Sequence, residues 1–296
     1  MHRNLAKLLL SLIVLLNVTS ALAKDDKAFF WQVKSDNAVV YLMGSIHFAK
    51  SGFYPLRERI EEAFEHSDAL VVELDINHID SNTYSQLIAQ RGTYKDSTTI
   101  KDVISEETWL QLRQRLRYLN VSYDTIKNYK PGILVLTLTS IQIMQMGFAP
   151  QLGIDAYFLA KASQADKQKK IIELETLEQQ INLFLNIPDG ELLLKESLYS
   201  LDESELLMAD MVRFWKQGDE AEMNKLLFED ALTKYPAFSA IYESLFYDRN
   251  SRMVEKIDGM LQQKGRYFVV VGSGHLIGEK GIVSALKEKG YEVSRK

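Results

Sequence analysis

Two histidines follow the same local pattern near opposite ends of the chain. Each comes three residues after a glycine that closes an apolar, strand-like run: Gly44 precedes His47, and Gly272 precedes His275. One isolated histidine is more often a hydrogen-bonded packing residue than a ligand. Two histidines at matching strand ends instead indicate one shared site, because imidazole is a common ligand for transition metals.

Two acidic residues are placed in the same way. Glu73 follows the apolar run at residues 69–72, and Glu175 closes the strand-like run at residues 171–174. In open α/β sheets, ligands bind outside the carboxyl ends of the strands. If these strands are parallel, we expect both acids and both histidines to meet at one edge of the sheet.

This set of side chains predicts metal-dependent chemistry. The chain has no cysteine, so a metal must be bound by histidines and carboxylates, which suit Zn²⁺, Mn²⁺, Fe²⁺ or Co²⁺. A metal with an open coordination position lowers the pKa of bound water to about 7, and a remaining glutamate can act as general base. Asp75 shares a strand face with Glu73, and Glu173 shares one with Glu175. Which acid binds metal and which acts as base is therefore open.

Other polar residues are weaker candidates. His66 and His78 lie in charged surroundings and are expected at the surface. Arg249 and Asn250 lie within a long helical stretch and are either an ordinary exposed pair or part of the site. In the second case, Arg249 would bind a substrate carboxylate or hold Glu73 in place.

The elements that position these residues form a β-loop-α-β pattern at each end of the chain. The first unit covers residues 39–74, with a helix at 55–65, and the second covers residues 267–294, with a helix at 281–289. The sequence therefore predicts an α/β fold whose sheet is built from both ends, with a large helical insertion at about residues 79–263. No linker rich in proline, glycine or serine divides residues 24–296, so we expect one domain.

The first 23 residues resemble a signal peptide. Arg3 and Lys7 precede a short apolar run, and Ala21-Leu22-Ala23 fits a small-x-small cleavage site. An uncleaved membrane anchor is the alternative, although the apolar run is shorter than the about 20 residues of a span. We expect an exported protein, periplasmic or secreted, without a stable membrane span after cleavage. The net charge of −5 and the lack of a basic aromatic patch argue against nucleic-acid binding.

Five ordered motifs resemble those of the TraB/GumN family, which is related to the Tiki metalloproteases. They are YLMGSIH at 41–47, VVELD at 71–75, LETLEQQ at 174–180, Arg249-Asn250, and VGSGHLIG at 271–278 followed by Gly281. The resemblance spans about residues 28–294. It implies a Tiki-like α/β fold and a divalent-metal-dependent peptidase activity.

The resemblance also implies roles for particular residues. By motif, His47, Glu73 and His275 would form the metal site, and Arg249 and Asn250 would support it. Glu175 matches a further motif, LETLEQQ, and we include it among the candidate catalytic residues. The predicted function is thus an exported metal-dependent hydrolase, with a peptidase acting on peptides or proteins as the first choice. The alternative is a non-catalytic exported protein that binds a metal, a metal complex or a peptide at the same residues.

Overall fold

The computed structural model describes residues 27–164 and 168–296. The predicted signal peptide, residues 1–23, lies outside the described residues. The described chain is a mixed α/β structure with many helices around one six-stranded sheet. The strands are β1 (Phe30–Lys34), β2 (Ala38–Ser45), β3 (Ala69–Val72), β4 (Lys170–Glu173), β5 (Gly265–Gly272) and β6 (Glu292–Arg295).

The order of the strands across the sheet is β4-β3-β5-β2-β1-β6. β2 and β3 both pair in parallel with β5, and β4 pairs in parallel with β3. β1 is antiparallel to its two neighbours, β2 and β6. Four adjacent strands therefore end at one edge of the sheet, which brings together segments far apart in the chain.

Buried apolar strands form the centre of the sheet. All of β3 is buried, and so is the stretch 268–271 of β5, because these strands are covered on both faces. Their side chains belong to one hydrophobic core to which the helices also contribute. That residues 24–296 form a single domain agrees with this core but stays a prediction.

The helices lie mainly between β3 and β5 in the sequence. In chain order they are α1 (Glu58–Glu65), α2 (Ser81–Arg91), α3 (Ile100–Val103), α4 (Glu106–Tyr118), α5 (Tyr123–Ile126), α6 (Pro131–Gln145), α7 (Ile154–Ala162), α8 (Leu177–Leu185), α9 (Gly190–Asp202), α10 (Ser204–Gln217), α11 (Glu220–Asn224), α12 (Asp230–Lys234), α13 (Ser239–Tyr242), α14 (Asp248–Leu261), α15 (Ser273–Leu276) and α16 (Ile282–Glu288). Two π-helical turns, Lys225–Glu229 and Glu243–Tyr247, follow α11 and precede α14.

Local sequence explains the helices that matter for the site. α8 begins with a capping box, in which the side chains of Thr176 and Gln179 each bind the other residue's backbone N–H. α14 buries Met253, Val254 and Ile257, which recur at helical spacing, so this face packs on the core. Arg249 is four residues before Met253 and is therefore carried inward on the same face.

The two segments predicted to be repeat units occupy different places in the sheet. β2 and β3 lie on either side of β5, whereas β5 and β6 are separated by β2 and β1. The connection from β2 to β3 contains α1, and that from β5 to β6 contains α15 and α16. That these segments are two copies of one unit stays a prediction.

Candidate metal centre

The sheet brings the four predicted strand-end residues to one edge. His47 follows β2, Glu73 follows β3, and Glu175 follows β4 by two residues. His275 lies in α15, which begins directly after β5. Because these four strands are parallel and adjacent, their carboxyl ends face the same side of the molecule.

The carboxylate of Glu73 is the centre of this cluster. Its Oε1 accepts a hydrogen bond from the backbone N–H of Gly272 at 2.7 Å. The same oxygen lies 3.8 Å from His47 Nε2 and 3.9 Å from His275 Nε2. Both imidazoles therefore present the same nitrogen to one carboxylate oxygen.

Gly272 leaves open space between these side chains. A Cβ atom at this position would lie 3.3 Å from His47 Nε2, 3.4 Å from Glu73 Oε1 and 3.5 Å from His275 Cδ2. A glycine directly after a strand serves either for a positive φ or for close approach of neighbouring atoms. The φ of Gly272 is −51°, so close approach is the reason.

Asp155 orients the imidazole of His47. Its Oδ1 lies 3.2 Å from His47 Nδ1 and accepts a hydrogen bond from the Ser45 hydroxyl at 2.7 Å. Ser45 Oγ in turn accepts the backbone N–H of Asp155 at 3.2 Å. A carboxylate at Nδ1 leaves Nε2 free to bind a metal, an arrangement common around metal-binding histidines.

Asn250 performs the same task for His275. The Asn250 amide Nδ2 donates to the carbonyl of Lys280 at 2.8 Å, so its Oδ1 is the atom that faces His275 Nδ1, at 2.6 Å. An amide oxygen can only accept, so Nδ1 carries the proton and Nε2 has the free lone pair. Phe246 packs on this buried ring with a centroid distance of 5.3 Å, which further fixes its orientation.

Arg249 holds both glutamates. Its Nη2 donates to Glu73 Oε2 and to Glu175 Oε2, each at 2.6 Å, and its Nε donates to Glu175 Oε1 at 2.8 Å. Gln180 adds a hydrogen bond to Glu175 Oε2 at 3.1 Å. Both oxygens of Glu175 are therefore occupied by partners, and all three charged groups are buried.

The two histidines have opposite pKa shifts. Burial lowers the pKa of His275 to about 4, so its imidazole is neutral at neutral pH. For His47, partial burial also lowers the pKa, but the charges of Asp155 and Glu73 outweigh this and raise it to about 9. Metal binding at His47 therefore requires loss of a proton.

Glu73 is held in its ionised form. Burial would raise its pKa, but the neighbouring His275, Arg249 and His47 and the Gly272 N–H together lower it to about 2. Burial also opposes the charge of Arg249, yet its hydrogen bonds to Glu175 and the charges of both glutamates raise its pKa. Two carboxylates thus share one guanidinium, and the trio retains a negative charge that favours a cation.

The cluster opens into a cavity of about 440 Å³. The cavity is lined by His47, Glu73, Arg249 and His275 together with mostly apolar side chains. Glu175 is not among the lining residues, because it lies behind Arg249. A larger cavity, of about 950 Å³, lies among α4, α9 and α10 and contains none of the predicted site residues.

The donors fit a divalent transition metal in chemical type. In residues 27–164 and 168–296, no group of three or more His, Asp or Glu side chains has its atoms arranged so that it could hold a metal ion. Glu73 Oε1 nevertheless lies 3.8 Å from His47 Nε2 and 3.9 Å from His275 Nε2. Neither distance exceeds the combined length of two metal–ligand bonds, about 4 Å, so one ion could bind both atoms of each pair. The neutral imidazole of His275 offers a free Nε2 lone pair, and His47 Nε2 becomes a ligand once it loses its proton. Together with the ionised Glu73 and the space beside Gly272, they are what such an ion requires.

The other candidate acids and histidines lie away from this cluster. Glu173 accepts the backbone N–H of Asp75 at 2.7 Å, and Asp75 contacts His78, on the opposite face of the strand ends. The sequence left open whether Glu73 or Asp75, and whether Glu173 or Glu175, belongs to the site. Glu73 and Glu175 are the two that lie on the same face as the histidines. His66 is exposed, as expected.

Sequence reasoning missed three contributors to the cluster. They are Asp155, which lies in none of the five motifs, Ser45, which lies in the motif at 41–47 without a role of its own, and the backbone N–H of Gly272. An acid in the first turn of a helix is common as a favourable interaction with the helix dipole, so nothing in the local pattern marked Asp155.

No helix in the described parts of the chain is long and apolar enough to cross a membrane. The predicted cleavable signal itself lies in the residues that are not described.

Comparison with known proteins supports the motif pattern. A sequence model of the TraB/PrgY/gumN family matches residues 29–295. The uncharacterized protein YbaP of Escherichia coli (strain K12) is 28% identical over 85% of this chain and 89% of its own length. Metalloprotease TIKI2 of Xenopus tropicalis is 23% identical over 91% of this chain. Metalloprotease TIKI1 of Homo sapiens is 22% identical over 90% of this chain. The chain spans about 60% of the length of these two metalloproteases. No solved structure matches.

Proposed function

The chain belongs to the TraB/PrgY/gumN family, and two of its relatives carry the name metalloprotease. We propose that it is a metal-dependent hydrolase that cleaves peptide bonds. The observation that carries the proposal is the pair of imidazoles with occupied Nδ1 atoms. Asp155 and Asn250 hold these atoms, and both Nε2 atoms face the ionised Glu73.

In this proposal, His47, His275 and Glu73 bind one divalent metal, such as Zn²⁺, Mn²⁺, Co²⁺ or Fe²⁺. A pKa of about 2 suits Glu73 better to a ligand than to a general base, which works best with a pKa near the operating pH. The bound metal would lower the pKa of a water molecule to about 7 and so supply a nucleophile at neutral pH.

The remaining predicted residues support this set. Arg249 donates a hydrogen bond to Glu73 Oε2, so that Glu73 Oε1 faces the two imidazoles. Glu175 accepts hydrogen bonds from Arg249 and thereby fixes its guanidinium. Asn250 fixes the tautomer of His275. We therefore assign Glu175, Arg249 and Asn250 to positioning the site, and a separate base is unnecessary if the metal already lowers the pKa of the water.

The test compares the purified protein with His47→Ala and His275→Ala. Each variant is incubated with a diverse peptide library after loading with Zn²⁺, Mn²⁺, Co²⁺ or Fe²⁺, and bound metal is measured in parallel. We expect both variants to lose metal and cleavage, while His66→Ala, an exposed histidine outside the site, keeps both. Unchanged cleavage in the two site variants would reject the proposal. Peptide binding without turnover would identify the non-catalytic alternative.

We also propose that the protein is exported, on the pattern of residues 1–23. Fractionation of cells that produce the full chain, with determination of the amino terminus of the product, tests this. The expected product begins near Lys24 outside the cytoplasm. A product that retains the first residues inside the cell would contradict export.

A further inference from the structure

The cavity beside the candidate metal-binding residues has an apolar wall, and this wall is only partly covered by other parts of the protein. Eight apolar side chains that line it are half-buried. They are Phe48, Ile143, Leu183, Phe184, Met211, Leu227, Leu245 and Phe246, which belong to six separate segments. Partly exposed apolar surface concentrated in a concave site is typical of ligand binding.

Two π-helical turns provide part of this wall and connect it to the cluster. Leu227 lies in the first turn, and Leu245 and Phe246 lie in the second. The carbonyl of Leu245 accepts a hydrogen bond from Arg249 Nη1 at 2.9 Å, and Phe246 packs on the ring of His275. The wall is therefore held in a fixed relation to the residues proposed to bind metal. Isolated π-helical turns are frequent at functional sites.

Charged groups in the cavity wall are already engaged. Among the described lining residues, the ionisable side chains are His47, Glu73, Arg249 and His275. Arg249 binds two carboxylates, and Glu73 binds Arg249 and the Gly272 N–H. A metal bound at the cluster would also engage the remaining negative charge of Glu73. A charged substrate side chain in the apolar part of the cavity would then lose its hydration without gaining an ionic partner, which is unfavourable.

We propose that this cavity binds a large, uncharged apolar side chain of the substrate, such as Leu, Met or Phe, next to the peptide bond that is cleaved. The inference rests on the proposed hydrolase function and specifies its substrate class. Met208, Met211 and Met223 contribute to the lining, and the flexible methionine side chain adapts to differently shaped apolar groups. The cavity therefore accepts several apolar residues and rejects acidic and basic ones.

The test measures binding separately from cleavage. Pools of short random peptides share a fixed central residue, which is Leu, Met, Phe, Ser, Asp or Lys, and they compete with a labelled peptide for the full chain loaded with Zn²⁺. We expect the Leu, Met and Phe pools to bind at least about tenfold more tightly than the Asp and Lys pools. Equal binding of all pools, preference for a charged residue, or no measurable binding would overturn the inference.

Two substitutions locate the preference in the cavity. Leu227→Asp places a carboxylate in the wall, so we expect it to weaken binding of the Leu pool at least about tenfold and to favour the Lys pool. Leu110→Asp is the matched control, because Leu110 is 51% exposed on α4 and does not line this cavity. Met211→Glu repeats the test from α10 in case Leu227→Asp does not fold. Selectivity that is unchanged in a folded cavity variant would overturn the assignment.

Cleavage by the wild-type protein separates this inference from the proposed function. Cleavage sites flanked by apolar residues would support both. Apolar-selective binding without any cleavage would reject the hydrolase function and leave the cavity as a binding site. Cleavage that depends on His47 and His275 but shows no apolar preference would reject the specificity and retain the hydrolase.

Discussion

Replacing Gly272 with alanine tests the proposed metal centre with one methyl group. The backbone of Gly272 has φ −51° and ψ 138°, a conformation that alanine adopts without strain. The added Cβ would lie 3.3 to 3.5 Å from atoms of His47, Glu73 and His275. The methyl group would therefore occupy the open space between the proposed ligands while displacing them by only a few tenths of an ångström.

The expected effect is large on metal binding and small on folding. Because the neighbours need to move little, we expect the free energy of unfolding without metal to change by less than about 1 kcal/mol. A metal ion, in contrast, would have to share the space between His47, Glu73 and His275 with the added methyl group. We expect the dissociation constant for Zn²⁺ to rise at least about tenfold, which corresponds to about 1.4 kcal/mol.

Two other glycines provide controls for the alanine substitution. A Cβ at Gly44 would lie 2.7 Å from both Phe29 Cβ and Ser273 Oγ, so Gly44→Ala should destabilise the fold by about 1 to 3 kcal/mol. A Cβ at Gly259 in α14 meets nothing within 4 Å, and Gly259→Ala should be neutral or stabilising by about 1 kcal/mol.

The assay combines titration of Zn²⁺ against a chelating indicator with urea unfolding in the presence of a chelator. We expect Gly272→Ala to weaken Zn²⁺ binding and hardly to change the free energy of unfolding, whereas Gly44→Ala should lower the free energy of unfolding. Wild-type affinity for Zn²⁺ in a folded Gly272→Ala protein would refute this reasoning.

Three further predictions concern the charged groups of the cluster. Arg249→Met should lower the unfolding free energy measured in urea by about 3 to 5 kcal/mol, because it leaves Glu73 and Glu175 buried without their cation; a change below about 1 kcal/mol would contradict this ion network. Asp155→Asn should weaken Zn²⁺ binding by about 10- to 100-fold, because His47 loses the carboxylate that orients it; unchanged affinity would show that Asp155 does not orient a ligand. Finally, the pKa of Glu73 is about 2 in the folded protein against an ordinary value of 4.5, so its ionisation stabilises the fold above pH 4.5 and this contribution, about 3 kcal/mol, is lost as the pH falls toward 2. Without metal, the wild type should therefore lose more stability than Glu73→Gln over this interval in urea titrations, and parallel curves would contradict the shift.

The sequence predicted much of the cluster because strand ends have a simple geometry. His47, Glu73, Glu175 and His275 each follow an apolar run, and the parallel pairing of four strands places such residues at one edge. What the runs could not predict is that β5 lies between β2 and β3. This order, set by pairing between segments over 190 residues apart, puts the Gly272 N–H against Glu73.

The parts that sequence could not predict depend on tertiary contacts. Asp155 reaches His47 only because α7 packs beside the loop after β2, where the backbone N–H of Ile154 also donates to the carbonyl of Ile46. The helical stretch around Arg249 was predicted, but its π-helical turn was not, because the periodicity of apolar residues does not reveal one extra residue in a turn. At Gly44, contact with Phe29 and Ser273 is what excludes a side chain, and the local sequence does not reveal this contact.

A crystal structure of the protein loaded with Zn²⁺, with the metal located by anomalous scattering at the zinc absorption edge, would show directly whether His47, Glu73 and His275 bind one metal. We expect one strong peak within bonding distance, about 2.0 to 2.2 Å, of His47 Nε2, His275 Nε2 and a carboxylate oxygen of Glu73. A metal bound at other residues, or no peak at this edge of the sheet in crystals grown with excess Zn²⁺, would contradict the proposed metal centre.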